Sequence, residues 1–86
     1  MSEEKKEEWN NDKIAEDVLG LLYMTSFSDG RDLPWRAWKG HDWDALDYLH
    51  AKGYISDPKG RAKSIVFSDE GFKRAREIAE QKYKHP

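Results

Sequence analysis

The chain has 86 residues and no cysteine, and 37% of its residues are charged. A chain of this length forms one domain with a small core, and without cysteine neither disulfides nor thiolate metal ligands add to its stability. No apolar run approaches the ~20 residues of a membrane-spanning helix. The first residues, MSEEKKEEWNND, lack the apolar segment of a signal peptide. The composition therefore predicts a single cytoplasmic domain without a membrane segment.

Acidic and basic residues are unevenly distributed along the chain. Residues 1–50 contain 6 Lys and Arg against 12 Asp and Glu, whereas residues 51–86 contain 9 against 5, which gives balances of −6 and +4. Such asymmetry indicates a basic binding face or a contact between copies of the chain, although two solvated helices of opposite charge also produce it. Residues 1–10 are predicted to be a flexible acidic lead, and residues 11–84 a single domain.

The first helix is predicted to begin at Asn11 or Asp12, because Asn11 can accept hydrogen bonds from the free amides of a helix start. The apolar residues that follow recur with helical spacing and form one stripe: Ile14, Val18, Leu21 and Leu22. The helix is expected to end between residues 25 and 28, where hydroxyl and β-branched side chains lead into the turn composition SDGRD.

A short strand and a second helix are predicted next. Pro34 cannot donate a hydrogen bond and disfavours a helix before it, so residues 35–38 are expected to be an extended segment at a sheet edge. Asp42 is the expected N-cap of the second helix, and Gly53 its C′ residue with a positive φ. The buried face is expected to contain Trp43, Leu46 and either Leu49 or His50.

The segment YISDPKGRAKSIVF has the composition of a β-hairpin. YIS and KSIVF favour strands, Pro58 suits the second position of a type I turn, and Gly60 is expected to have a positive φ. The hairpin tip is basic, with Lys59, Arg61 and Lys63. Ser68 is predicted to cap a last helix whose buried side contains Phe72, Ala75, Ile78, Ala79 and Tyr83.

These elements predict an α+β, winged-helix-like domain with three helices and a small antiparallel sheet, in the order helix, short strand, helix, hairpin, helix. The large side chains are expected to fill its core. That core contains at least one of Trp35 and Trp38, one of Ile65 and Val66, and the following residues: Val18, Leu21, Leu22, Trp43, Leu46, Leu49, Ile55, Phe72 and Ile78.

Two resemblances rest on these motifs. From residue 45 to about residue 79, the chain resembles the second half of a winged helix of the MarR or PadR kind, with KGYI ending one helix and SDEG opening the next. From about residue 12 to residue 79, it is similar to a bacterial family of short proteins classed as a domain of unknown function, through the signature RAWKGHDWDALDYLHAKGYISDP and GRAKSIVF. The first resemblance implies a wing that contacts DNA, and the second implies no function.

Two features of the sequence argue against duplex recognition by a helix. Residues 27–41 leave little room for the helix that precedes the recognition helix in a winged helix, because a proline and two glycines interrupt them. The helix in the recognition position carries three carboxylates, which weaken binding near phosphates: Asp42, Asp44 and Asp47. The candidate contacts to nucleic acid are therefore those of the hairpin tip: Lys59, Arg61 and Lys63.

Catalytic and metal-binding motifs are weak. His41 and Asp44, and likewise Asp47 and His50, are three residues apart, a spacing that suits a pair of metal ligands, but no motif positions a third ligand. His50 has another explanation near a helix C-terminus, where a positive imidazole is favourable. There is no glycine-rich phosphate loop or serine elbow. The sequence predicts a protein that is not an enzyme and holds no metal or other cofactor.

The four Trp, four Tyr and three Phe are many for a chain of this length. Core packing is one explanation for them. The other is a partner-facing patch of Trp35, Arg36, Trp38 and Lys39, because Trp and Arg anchor interfaces. The predicted function is a non-catalytic interaction or regulatory module that associates with itself through its first or last helix, or with another protein. The alternative is a nucleic-acid-binding, transcription-regulator-like protein that uses the basic wing.

Overall fold

The computed structural model describes residues 9–84, so residues 1–8 of the predicted acidic lead lie outside the described part of the chain. The elements are α1 (Asn11–Met24), β1 (Arg36–Trp38), α2 (Trp43–Ala51), β2 (Ser64–Val66) and α3 (Asp69–Tyr83). Within residues 9–84, three helices accompany one two-stranded antiparallel sheet. The predicted α+β class is confirmed. No helix in this range is long and apolar enough to cross a membrane.

Helix α1 begins one residue after its cap, which is Asn10 and not the predicted Asn11. The Asn10 side-chain oxygen accepts the Lys13 N–H at 3.1 Å. An N-cap residue lies just outside the helix with an extended backbone, as Asn10 does, whereas Asn11 is already inside α1. The helix ends at Met24, close to the predicted end, and the Thr25 N–H and hydroxyl both donate to the Leu21 carbonyl.

The buried face of α1 is rotated relative to the predicted stripe. It consists of Ala15, Val18, Leu19, Gly20 and Leu22. Leu21 is 44% exposed, so its predicted place in the core is wrong, and Ile14 of the predicted stripe is 39% exposed. The reason lies in the small residues of α1, which allow α3 to approach closely. A Cβ atom added at Gly20 would lie only 2.9 Å from Cγ2 of Ile78 and 3.2 Å from the Tyr83 ring.

Helix α2 has the predicted termini but not the whole predicted face. The Asp42 carboxylate accepts the Ala45 N–H at 3.1 Å, and Gly53 has a φ of 79°, as predicted. Leu46 and Leu49 are buried. Trp43 is 55% exposed, which contradicts its predicted place in the core. Helical side chains point towards the N-terminus, so a side chain on the first residue extends beyond the packed part of its helix.

The sheet joins strands that are distant in sequence. Its register pairs Arg36 with Val66, Ala37 with Ile65, and Trp38 with Ser64. The predicted hairpin is reduced to a bridge between Ile55 and Phe67, with hydrogen bonds from the Ser56 N–H to the Val66 carbonyl at 2.8 Å, from the Ser68 N–H to the Tyr54 carbonyl at 3.0 Å and from the Val66 N–H to the Ser56 hydroxyl at 2.9 Å. The first arm ends at Ser56, because Pro58, two residues later, has no N–H to donate to the hydrogen bonds between strands.

Residues 57–63, named here the basic loop, connect the two arms. The Gly60 N–H donates to the Asp57 carbonyl at 3.2 Å, and the Lys59 N–H donates to Oδ1 of Asp57 at 2.9 Å. The prediction of a positive φ at Gly60 is wrong, since Gly53 is the residue with positive φ within the range 9–84. Pro58 and Lys59 fill the central positions of this turn, and Gly60 takes the last position, which requires no special φ.

Helix α3 is fixed at its start against the end of α2. Ser68 is the predicted cap: its hydroxyl oxygen accepts the Gly71 N–H at 3.0 Å, and its O–H donates to the Gly53 carbonyl at 2.6 Å. A Cβ atom at Gly71 would lie 1.9 Å from the Tyr54 carbonyl oxygen, so this crossing requires glycine. Further along, Ala75, Ile78 and Ala79 are buried as predicted, whereas Phe72 is half-buried and Tyr83 is 39% exposed.

The core is almost entirely aliphatic. Its fully buried large side chains are Leu19, Leu22, Leu46, Leu49, Ile65, Ile78 and Pro58. Phe67 is the large aromatic side chain buried among the described residues, at 5% exposure. The four Trp residues are 42–57% exposed, so the expectation that Trp35 or Trp38 belongs to the core is wrong. Leucine, isoleucine and alanine side chains fill the space between closely packed helices, and the indoles lie outside it.

Candidate functional site

The register of the sheet separates a buried face from an outer face. Ala37 and Ile65 lie opposite each other, and both are fully buried against the helices. Because side chains alternate along a strand, the neighbours of these two residues point to the other side. We name this side the outer sheet face, and it consists of Phe27, Arg36, Trp38, Ser64 and Val66. Phe27 joins through an antiparallel bridge to Arg36, with N–H···O distances of 2.8 and 2.9 Å.

An exposed indole dominates the outer sheet face. Trp38 is 57% exposed and packs on Phe27, with ring centroids 5.0 Å apart and an interplanar angle of 33°. Trp35 is on the other side of the sheet, where it stacks on Phe72 of α3 at 5.2 Å and 18°. The structure therefore divides the sequence-predicted patch: Arg36 and Trp38 share the outer sheet face, and Trp35 does not belong to it.

Arg36 has a fixed orientation on this face. Its Nε–H donates to the Ser64 hydroxyl at 2.9 Å, and Ser64 lies directly opposite Trp38 in the register. The two terminal nitrogens of the guanidinium make no hydrogen bond within residues 9–84. A planar cation is thus held beside an exposed indole with donors left for an anion.

The basic loop lies at the end of the same strands. The Lys39 N–H donates to the Lys63 carbonyl at 3.2 Å, and the Lys39 ammonium donates to the Gly60 carbonyl at 2.8 Å. Lys59, Arg61 and Lys63 are exposed, and none of the ion pairs found between described residues includes them. The predicted nucleic-acid contacts and the predicted partner patch therefore meet at Lys39.

The candidate metal pairs are not arranged as a site. His50 donates from Nδ1 to the Ile55 carbonyl at 3.1 Å, which orients the ring towards the backbone beyond α2. Across the described ranges, no group of three or more His, Cys, Asp or Glu residues is placed to hold a metal ion.

A second exposed apolar surface lies on the helices, and it was not predicted, because Leu21 was assigned to the core and Tyr83 to the buried side of the last helix. We name it the helical stripe: Ile14, Leu21 and Met24 of α1 with Tyr83 of α3, exposed by 39–56%. Asp17 forms an ion pair with Lys82 next to this stripe, and the hydrogen bond raises the pKa of Lys82 above its usual value. The signal that could have revealed the stripe is Gly20, which favours close helix packing on the adjacent face.

Phe27 and Ser64 were also missed. Phe27 stands in a segment of turn composition, SFSDG, and an isolated aromatic residue there is the available signal. Ser64 is a small polar residue opposite an exposed tryptophan, and it is buried because the Arg36 side chain lies over it. That pairing depends on a non-local register, which the sequence does not reveal.

The geometry defines a small α+β domain with an exposed aromatic and basic sheet face. The chain belongs to the family described as Domain of unknown function (DUF6429), whose model matches residues 10–85, so the predicted membership of a short family of unknown function is confirmed. It is 42% identical over 71 residues to the "Uncharacterized protein y4hR" of Sinorhizobium fredii (strain NBRC 101917 / NGR234), across 83% of this chain and 89% of that protein. No solved structure matches the chain.

Proposed function

We propose that this protein is a non-catalytic interaction module that associates with itself through the helical stripe. The observation that supports the proposal is the exposure of four apolar side chains on adjoining helices, with Ile14 and Tyr83 at 39%, Leu21 at 44% and Met24 at 56%. Large apolar side chains that adjoin each other at a surface are typical of interfaces, whereas single exposed ones are ordinary. The small core of an 86-residue chain gains stability from such a contact.

The spacing along α1 suits contact between two identical helices. Ile14 and Leu21 are seven residues apart, so they lie on the same side of the helix about two turns from each other. In a two-fold symmetric, antiparallel contact, Ile14 of one copy lies against Leu21 of the other, and the reverse contact forms by symmetry. Met24 and Tyr83 then extend the apolar contact at its ends, and the outer sheet face stays free.

Sedimentation equilibrium at several protein concentrations tests self-association, with Leu21→Glu as the disrupting variant. We expect a concentration-dependent dimer whose dissociation constant rises about tenfold or more in the variant, because each substitution acts twice in a symmetric contact. Leu33→Glu is the matched control, since Leu33 is 53% exposed and lies outside the stripe. A wild-type chain that remains monomeric at high concentration would contradict the proposal.

Nucleic-acid binding through the basic loop is the second candidate function. Lys59, Arg61 and Lys63 are exposed cations that can contact phosphates. Recognition of duplex DNA by α2 is disfavoured because Asp42 and Asp44 are exposed on that helix. We therefore expect duplex binding to be non-specific, with a dissociation constant of ~10⁻⁴–10⁻⁶ M at best.

A further inference from the structure

We propose that the outer sheet face and the basic loop together bind single-stranded nucleic acid, with a base stacked on Trp38 and phosphates bound by Arg36 and the lysines of the loop. This surface shares no residue with the helical stripe. The inference therefore extends beyond self-association, and it can hold or fail independently of it.

The stacking platform is the first part of the argument. Phe27 supports the Trp38 ring from one side at 5.0 Å, and the indole is nevertheless 57% exposed. A base can stack on an aromatic ring whatever its identity, because every base has a π-face. Trp38 thus presents a supported, flat surface on which a base of a single strand can stack.

The cations around this platform are the second part. Arg36 lies beside Trp38, held by Ser64 at 2.9 Å, and it keeps its terminal N–H groups for a ligand. Lys39 is bonded to the carbonyls of Gly60 and Lys63, which brings the basic loop to the same edge of the sheet. A positively charged track next to an aromatic platform is complementary to a backbone of phosphates that carries unstacked bases.

Two carboxylates that are close to this surface in sequence accept hydrogen bonds from the backbone. Asp57 accepts the Lys59 N–H at 2.9 Å, and Asp42 accepts the Ala45 N–H at 3.1 Å. Both oxygens point at backbone amides of their own segments.

A single strand fits these features better than a duplex. The bases of a duplex are stacked on one another and cannot reach an indole face.

Fluorescence anisotropy of a labelled, mixed-sequence single-stranded oligonucleotide tests the inference, with the same sequence as a duplex and with polyglutamate as comparison ligands. We expect the single strand to bind more tightly than the duplex. Trp38→Ala should weaken binding about fivefold or more, and Trp38→Phe should retain most of the affinity because it keeps an aromatic face. Trp9→Ala is the matched control, because Trp9 is also 57% exposed, and it should change affinity by less than about twofold.

Salt dependence tests the role of the cations. Three phosphate contacts predict a slope of about −2 for log K against log salt, and replacing Lys59 and Lys63 by Gln should reduce its magnitude by about 1.4. Equal binding by Trp38→Ala and the wild type, or tighter binding of the duplex, would overturn the proposal. If polyglutamate binds, loses affinity in Trp38→Ala and outcompetes the single strand, the surface binds acidic peptides, and the single-strand proposal is wrong while the interaction-module proposal stands.

Discussion

The packed contact between α1 and α3, named here the helical layer, differs from the outer sheet face in how far its large apolar side chains are buried. Between α1 and α3, small residues bring the backbones together, and the side chains that fill the space are fully buried, as Leu22 and Ile78 are. On the outer sheet face the largest apolar side chain, Trp38, is 57% exposed, although Phe27 packs against it. The helical layer therefore buries its large apolar side chains, whereas the outer sheet face leaves its largest one exposed to solvent.

This division accounts for the high aromatic content of the chain. A helix pair that meets at glycine and alanine has no space for an indole between its axes, because the side chains at the crossing set the distance between helices. The tryptophans are consequently placed around the margin of the core. If the comparison is correct, substitutions in the helical layer will change the free energy of unfolding strongly, and equivalent substitutions of exposed tryptophans will not.

The largest effect is expected for Gly71→Ala. The added Cβ atom would lie 1.9 Å from the Tyr54 carbonyl oxygen, and the backbone on both sides would have to move. We expect a loss of about 3 kcal/mol or more in the free energy of unfolding, measured by urea denaturation. Gly40→Ala is the matched control, since no atom lies within 4 Å of its added Cβ, and it should stay within about 0.5 kcal/mol of the wild type. Equal stability of the two variants would show that α3 does not cross Tyr54 as described.

The next largest effect is expected for Leu46→Ala. Leu46 is fully buried, so its truncation removes packed methyl groups and leaves a cavity that costs about 2–5 kcal/mol. Trp43→Ala removes a larger side chain from the same helix, but 55% of that side chain is already exposed. We expect Trp43→Ala to cost less than about 1 kcal/mol in the same urea titration. A larger loss of stability in Trp43→Ala than in Leu46→Ala would place the indole in the core and contradict the expectation that exposed tryptophans contribute little to folding.

Much of the local structure could be predicted from the sequence, because it depends on interactions between neighbouring residues. The caps at Asp42 and Ser68 and the positive φ at Gly53 all follow from side-chain and backbone geometry within a few positions. The rotation of α1 could not be predicted in this way, since it depends on which residues of α3 approach Gly20. Pattern analysis gives weight to large apolar residues, and here the closest packing is made by the smallest ones.

The candidate site was only partly predictable for the same reason. Arg36 and Trp38 are two residues apart in an extended segment, so their shared face follows from strand alternation. Their neighbours on that face come from other segments: Phe27 by a bridge and Ser64 by the register of β2. A prediction that pairs β2 in a local hairpin does not place Ser64 opposite Trp38, because β1 and β2 are separated along the chain by α2 and the basic loop.

The smallest effect on the free energy of unfolding is expected at two glycines, Gly53 at the end of α2 and Gly60 in the basic loop. Gly53 has a φ of 79°, a conformation that costs an L-residue about 1–2 kcal/mol, although nothing lies within 4 Å of an added Cβ. Gly53→Ala should therefore lower the urea midpoint. Gly60 lacks a positive φ, and its added Cβ would lie at an ordinary contact distance of 3.4 Å from the Asp57 carbonyl oxygen.

Gly60→Ala should therefore leave the free energy of unfolding unchanged or raise it by at most about 1 kcal/mol, because alanine restricts the unfolded chain more than glycine does. The two substitutions are chemically identical and both sites are open, so a difference in sign isolates the backbone conformation. A loss of stability in Gly60→Ala as large as that in Gly53→Ala would mean that the basic loop holds a strained turn after all.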